Sequence, residues 1–221
     1  QLRQVITDVN NISVAYKTFK LKYDAIPGDM VNAYDYFSAE SNCDQNTSGA
    51  SDSCNGSGNG LISTSITTVE MYLFWAHLQN ADLINGTYTG TFNTGVYDSV
   101  LDENIPSSSI KNAGFEIHGH PTAGSTRWGE LLFDNHLFLG KARVSGGPDR
   151  FFTGSLIPRD AKVIDDKMDD GWASTGKVII ATASGVSNAC ATNNYNTGTT
   201  ADTYILSLTT EGCRPSFYTL D

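Results

Sequence analysis

The sequence predicts an α+β fold with an antiparallel sheet, and three observations carry that prediction. Apolar residues recur with a helical period over 1–23, and a second helical pattern runs from about 67 to 85. From residue 87 onward the pattern changes to short β-like runs between turns. Helices first and strands later is the order of an α+β protein rather than a parallel α/β one. No internal repeat or linker divides the 221 residues, so residues 1–221 read as one domain. Within it, 1–23 is a leading helix, 24–86 a helical and loop region, and 87–221 mainly sheet with a C-terminal loop.

In the first helix Leu2, Val5, Ile6, Val9, Ile12, Tyr16, Phe19 and Tyr23 form one stripe, opposite Arg3, Gln4, Asp8, Asn11, Lys17 and Lys20. Ile26-Pro27-Gly28 ends it, because proline cannot continue a helix. A short second helix is expected from about Asp29 to Phe37. Residues 40–60 lack large apolar side chains and read as a loop. Thr67 and Glu70 form a capping box opening a helix that offers Val69, Tyr72, Leu73, Trp75, Ala76 and Leu78 to the core and stops at Asn85-Gly86. Expected strands are Thr87–Phe92, Ala113–Ile117, Gly129–Leu139, Lys177–Ala183, Tyr204–Leu208 and Ser216–Leu220, interrupted by a helix from about Asp160 to Met168.

Lys plus Arg number 14 and Asp plus Glu 24, a formal charge of −10. Nucleic acid and anionic lipid surfaces are therefore disfavoured as partners. Only 17% of residues are charged, while 39% are hydrophobic, so the chain has material for a core and a neutral polar surface of an extracytoplasmic kind. No stretch reaches the roughly 18 apolar residues of a membrane span. The chain opens at Gln1 inside a helical pattern, without a signal peptide, so an upstream piece is expected. Cys43, Cys54, Cys190 and Cys213 show no paired spacing for zinc. Three disulfide pairings are open. The sequence-local one, Cys43 with Cys54 and Cys190 with Cys213, is preferred because each bridge would close a polar, glycine-bearing loop.

The order of motifs resembles the soluble domain of type IV pilin-like proteins, the group that includes type II secretion pseudopilins. The leading helix runs into Tyr23-Asp24-Ala25-Ile26-Pro27-Gly28-Asp29, followed by Asn32-Ala33. The glycine-rich run Asn55-Gly56-Ser57-Gly58-Asn59-Gly60 comes next. Then come Glu70 and Phe74-Trp75-x-His77-Leu78-x-x-Ala81-Asp82-Leu83-Ile84-x-Gly86-x-Tyr88-x-Gly90, with Asp82 where the family has glycine. Ile105-Pro106, Ser109 to Gly114, and Ile164 to Gly171 followed by Ser174, Gly176, Lys177 and Val178 also fit.

The resemblance implies a pilin-like fold: a long N-terminal helix packed on an antiparallel sheet with disulfide-closed loops. It implies a non-enzymatic structural subunit of a pilus-like filament, bacterial and extracytoplasmic. Its partners would be other pilin subunits, alike or different. The membrane would be met only through a missing apolar half of the first helix, before assembly. In that reading Leu2, Val5, Ile6 and Val9 form the filament interface, and the Cys190–Cys213 loop matches the family's stapled last loop. The alternative is a secreted carbohydrate- or surface-binding module using Trp128, Trp172 and tyrosines.

The densest charge is Asp165, Asp166, Asp169 and Asp170. Aspartates at a helix C-terminus are unfavourable by about 0.3–1 kcal/mol each, so compensation is expected. Calcium is one candidate, since it takes several carboxylate and carbonyl oxygens. A turn with backbone amides and a nearby lysine is the other. Asp44, Asn46, Ser48, Gly49 and Asp52 copy the start of a calcium loop, but Asn55 stands where a bidentate Glu belongs, which favours a metal-free disulfide loop. Glu116, His118 and His120 alternate and would share one strand face, a spacing open to zinc or copper or to a plain polar face. His77 beside Trp75 reads as packed or hydrogen-bonded rather than catalytic. No G-x-S-x-G, P-loop or H-E-x-x-H motif is present, and Gly56-x-Gly58-x-Gly60 follows no strand. No enzymatic activity or cofactor beyond calcium is expected.

Overall fold

A leading helix, α1 (Leu2–Tyr23), runs 22 residues without Gly or Pro. The chain is described here from a computed structural model, over residues 1–43, 54–63, 70–91, 99–119, 135–141, 153–182, 190–192, 202–218 and 220. The helix buries Val5, Val9, Ile12, Tyr16 and Phe19 of the stripe read from the sequence, with Ala15 beside them, and leaves Leu2, Ile6 and Tyr23 half-buried. Asp24 ends it in the left-handed conformation, its amide donating to the Lys20 carbonyl at 2.9 Å.

Next come α2 (Tyr34–Phe37) and α3 (Glu70–Asn80). The helix expected over 29–37 shrinks to one turn, because the Met30 carbonyl accepts from Gly56 N–H (2.8 Å) and the Tyr34 N–H donates to Asn55 Oδ1 (2.9 Å) instead of pairing with each other. In α3 the residues from Glu70 to Leu78 are all buried. It ends five residues before Asn85-Gly86, in a Schellman motif. Leu83 N–H donates to Leu78 O and Asp82 N–H to Gln79 O, both at 2.9 Å, with Asp82 at φ 59°. Asp82 thus occupies a position of positive φ, the conformation that glycine adopts most readily.

Four strands follow: β1 (Ala113–Gly119), β2 (Asn135–Lys141), β3 (Val178–Thr182) and β4 (Cys213–Phe217), with α4 (Pro158–Met168) between β2 and β3. The sheet is antiparallel in the order β1-β2-β4-β3. The last strand is therefore inserted between β2 and β3. Its ladder with β2 joins Leu137 to Phe217 and Phe138 to Ser216, so Pro215 lies beyond that pairing, where a missing N–H is tolerated. The N-terminal helix, the antiparallel sheet and the two disulfides agree with the α+β expectation.

Individual strands differ from the sequence reading. Residues 87–91 are irregular, and Phe92 is outside the described residues. In the Tyr204–Leu208 run, Tyr204 alone pairs, with Ala191, and a turn follows. The final strand lies three residues earlier than expected, and β2 extends to Lys141 while 129–134 are outside the described residues. So are Thr67 and Val69.

Helix α1 lies against α3 and α4; α3 approaches β1 and α4 approaches β4. Phe115, Ile117, Leu137, Leu139 and Phe217 lie on one face of the sheet and join the apolar cluster that includes Val5, Tyr16, Phe19 and Trp75. Among the described residues, no helix is long and apolar enough to cross a membrane.

Candidate functional site

Three segments singled out in the sequence, around Asp29, the glycine-rich run 55–60 and the stretch from Glu70 to His77, meet at one place near the end of α1. Asp29 Oδ1 accepts hydrogen bonds from Ser57 Oγ (3.0 Å), Gly58 N (2.6 Å) and Asn59 N (3.2 Å), and Oδ2 accepts from Gly60 N (2.7 Å). Glu70 holds the same loop from the other side, accepting from Ser57 N (2.8 Å) and Ser63 N (2.7 Å). Glu70 therefore does not act only within its own helix end, as a capping box would have it. Each carboxylate is engaged by protein donors, so neither is disposed to act as a base.

His77 completes the knot. Gly28 N–H donates to Nδ1 at 2.8 Å, and Nε2 lies 2.8 Å from the Cys54 carbonyl, which fixes the neutral Nε2–H tautomer. The ring is fully buried, stacked on Phe19 and tilted against Phe37. Burial lowers its pKa to about 4, with the Cys54 bond opposing. The glycines are required here. A side chain on Gly28 (φ +86°) would come within 2.5 Å of the Glu70 carbonyl, and one on Gly56 would collide with the Gly28–Asp29 backbone. The Cys43–Cys54 bridge ties the loop down beside His77. The knot anchors structure and offers no reacting group.

The acidic cluster forms at the end of α4. Ligand oxygens of Asp165, Asp169 and Asp170 lie within 4.8 Å of one another. Asp166 is not among them; it is exposed and pairs with Lys162 at 2.5 Å. Asp165 is buried and accepts from Tyr204 Oη (2.7 Å) and Gly171 N (3.1 Å). Asp170 accepts from Trp172 N (2.9 Å) and Thr175 Oγ1 (2.7 Å). Asp169 accepts from Lys177 N and from Val178 N, the latter at 3.1 Å. These donors supply the compensation that the helix end requires. Burial raises the Asp165 pKa to about 6, the Tyr204 and Gly171 bonds pull it down, and Asp170 and Asp169 push it up. The Tyr204 hydroxyl is raised as well, by burial and by Asp165. These three carboxylates could together hold a hard cation, with remaining oxygens coming from elsewhere. The run Asp44, Asn46, Ser48, Gly49 and Asp52, read from the sequence as a metal-free loop, lies outside the described residues.

The second sheet face is polar and buried. Glu116 and His118 share it, as their alternation implies; His120 lies outside the described residues. Glu116 accepts from Ser99 Oγ at 2.5 Å and lies 3.1 Å from His118 Nε2. His136 stands opposite His118 across the ladder, and the Arg214 guanidinium lies 4.9 Å over the Phe138 ring. Burial lowers the Arg214 pKa to about 10 against the pull of Glu116. His136 and Arg214 escaped the sequence reading because no local spacing pairs either of them with Glu116. Cross-strand register, which sequence does not print, brings them to Glu116.

The disulfides are Cys43–Cys54 and Cys190–Cys213. Of the four residues assigned to a filament interface, Val5 and Val9 are wholly buried in the chain's own core, while Leu2 and Ile6 are half-buried at its edge. Val5 and Val9 therefore cannot present surface to another subunit. Trp172 is exposed, and Trp128 lies outside the described residues.

Compared with family models, characterised proteins and solved structures, the chain matches none.

Proposed function

We propose that this chain is the outward-facing head of a filament subunit of the type IV pilin-like kind, a structural, non-enzymatic protein. The observation that carries the reading is the leading helix. Its inner stripe serves the head's core, its start keeps Leu2 and Ile6 partly exposed, and its end is clamped by Gly28, Asp29 and His77. A clamp of that kind suits a helix that must transmit load from a stem to a head. The carboxylates in the knot and the acidic turn are occupied by structural donors, which supports a role without chemistry. Two disulfides suit an oxidising, extracytoplasmic setting. The partners in this reading are other subunits joined by heterologous contacts, which repeat without closing.

The test is the coding sequence upstream of Gln1, followed by immuno-electron microscopy of the expressed protein. An apolar helix of about 20 residues continuing α1 in register, with labelled filaments, supports the reading. An upstream sequence lacking such a helix overturns it.

A further inference from the structure

The chain holds three Asn-Gly pairs, Asn55-Gly56, Asn59-Gly60 and Asn85-Gly86. In such a pair the backbone nitrogen that follows the asparagine has no side chain in front of it. That nitrogen can attack the carboxamide, one reason asparagine counts as a labile residue. The fold treats the three pairs differently. Gly56 N–H donates to the Met30 carbonyl at 2.8 Å, and Asn55 Oδ1 accepts from Tyr34 N at 2.9 Å. Gly60 N–H donates to Asp29 Oδ2 at 2.7 Å, and Asn59 Oδ1 accepts from Leu61 N at 2.9 Å. In both, the attacking nitrogen and the carboxamide are held in place.

Asn85 and Gly86 are exposed, beyond the end of α3 and outside any helix or strand. Among the described residues, neither the Gly86 N–H nor the Asn85 carboxamide makes a hydrogen bond. The Tyr88 hydroxyl instead donates to the Asn85 main-chain carbonyl at 3.3 Å. That oxygen shares a peptide group with Gly86 N and takes up negative charge when the nitrogen loses its proton. A donor there makes the nitrogen a better nucleophile. A side-chain carbon on Gly86 would stand 2.7 Å from Tyr88 Oη, so the hydroxyl lies close over this peptide. Burial, helped by Asp102, raises the Tyr88 pKa to about 12, so the donor keeps its proton at neutral pH.

We propose that Asn85 is a self-modification site, converted to aspartate or isoaspartate by attack of Gly86 N, with Tyr88 as a positioning residue. Gly86 N gives its proton to water and bonds to Asn85 Cγ. The Cγ–Nδ2 bond breaks, and Nδ2 takes a proton from water and leaves as ammonia. Water then opens the cyclic imide. Opening at Cγ leaves aspartate; opening at the main-chain carbonyl leaves isoaspartate and a backbone longer by a methylene. Nothing is oxidised or reduced: an amide and water become a carboxylate and ammonium. The new negative charge falls in a groove that Asp8 and Asp102 also line, on a chain already at −10. The inference is independent of the filament reading.

The test is incubation of the purified, folded chain at neutral pH, followed by peptide mapping with mass spectrometry and enzymatic methyl labelling of isoaspartate. Asn85 is expected to react at least about tenfold faster than Asn55 or Asn59. In chain unfolded by urea and reductant the three rates should converge. Tyr88→Phe keeps the ring and removes the donor; it should slow Asn85 about tenfold in the folded chain and leave the unfolded rate unchanged. An inert Asn85, or three sites reacting alike in the folded chain, overturns the proposal, and this comparison needs no variant. The same order of rates in the unfolded chain would trace the selectivity to sequence and also overturn it. An unchanged rate in folded Tyr88→Phe overturns the part given to Tyr88.

Discussion

The Gly28 amide donates to His77 Nδ1 at 2.8 Å, joining the turn after α1 to the middle of α3 across 49 residues of sequence. Protonating Nδ1 would set two N–H groups against each other. Burial accordingly lowers the His77 pKa from 6.5 to about 4 in the folded chain. A lowered histidine pKa means that the unfolded chain binds the proton more tightly. The contribution is complete above pH 6.5 and declines as pH falls toward 4, by about 3 kcal/mol. Urea unfolding of wild type and His77→Gln should show the wild-type advantage shrinking by that amount between pH 7 and pH 4. A constant difference would contradict the assignment.

Asp165 acts with the opposite sign. Its folded pKa is raised from 3.8 to about 6, chiefly by burial, so the folded chain holds the proton more tightly. Its contribution is complete below pH 3.8 and is lost as pH rises through 6, again by about 3 kcal/mol. The two groups therefore offset each other between pH 4 and 6. Asp165→Asn keeps an acceptor for Gly171 and removes the titration. Its stability should fall more steeply on acidification than that of wild type, measured by urea midpoints at matched pH.

Asp29 and the glycine-rich loop form the joint most sensitive to single changes. Asp29→Ala would strand the Asn59 and Gly60 amides and the Ser57 hydroxyl, at a cost of about 3 kcal/mol, while the Gly58 amide keeps its bond to the residue 29 carbonyl. Gly56→Ala would push a methyl group into the Gly28–Asp29 backbone, which has no flexible end to move aside. Both variants should lower the urea midpoint, whereas Asn59→Ala at the exposed loop surface should shift it far less.

Periodicity made α1 legible in the sequence, because it buries one face in step with its own repeat; α3 and β1 are buried throughout and were legible as apolar runs between turn signals. Strand β4 was misplaced for a physical reason. Cys213-Arg-Pro-Ser-Phe217 carries Pro215 and turns Arg214 and Ser216 toward a buried polar face, so it does not read as an inner strand. Tyr204 to Leu208 offered a better apolar alternation, yet only Tyr204 turns inward, to Asp165. The roles of Asp29 and Glu70 depend on partners that no local window contains. A signal was present in Asp29 after Pro27-Gly28 and in a distant segment whose small residues leave their amides accessible. Pairing the two required the fold.

Both disulfides close loops that bring little apolar surface of their own. The bridges span 11 and 23 residues, and chain-entropy reasoning gives about 3 kcal/mol for each. Replacing Cys43 and Cys54 by serine should also loosen the Cys54 carbonyl that receives His77. The Cys43/Cys54 double variant should therefore lose more than the chain-entropy value, and the pH dependence assigned to His77 should flatten. The Cys190/Cys213 double variant should keep that pH dependence. Equal pH profiles in the two variants would separate the first bridge from the knot.

Asp82 occupies the left-handed position after α3 at φ 59°, where an L side chain is strained and where a negative charge meets the negative end of the helix. Leu83 packs on the core beyond it, so the turn itself is well supported. Asp82→Gly removes both the strain and the charge, offset by the greater freedom of glycine in the unfolded chain. The net expectation is a gain of about 1 kcal/mol. Asp82→Asn removes only the charge and should gain a few tenths of that. A glycine variant no more stable than wild type would mean that the Asp82 carboxylate has a compensating role at the surface.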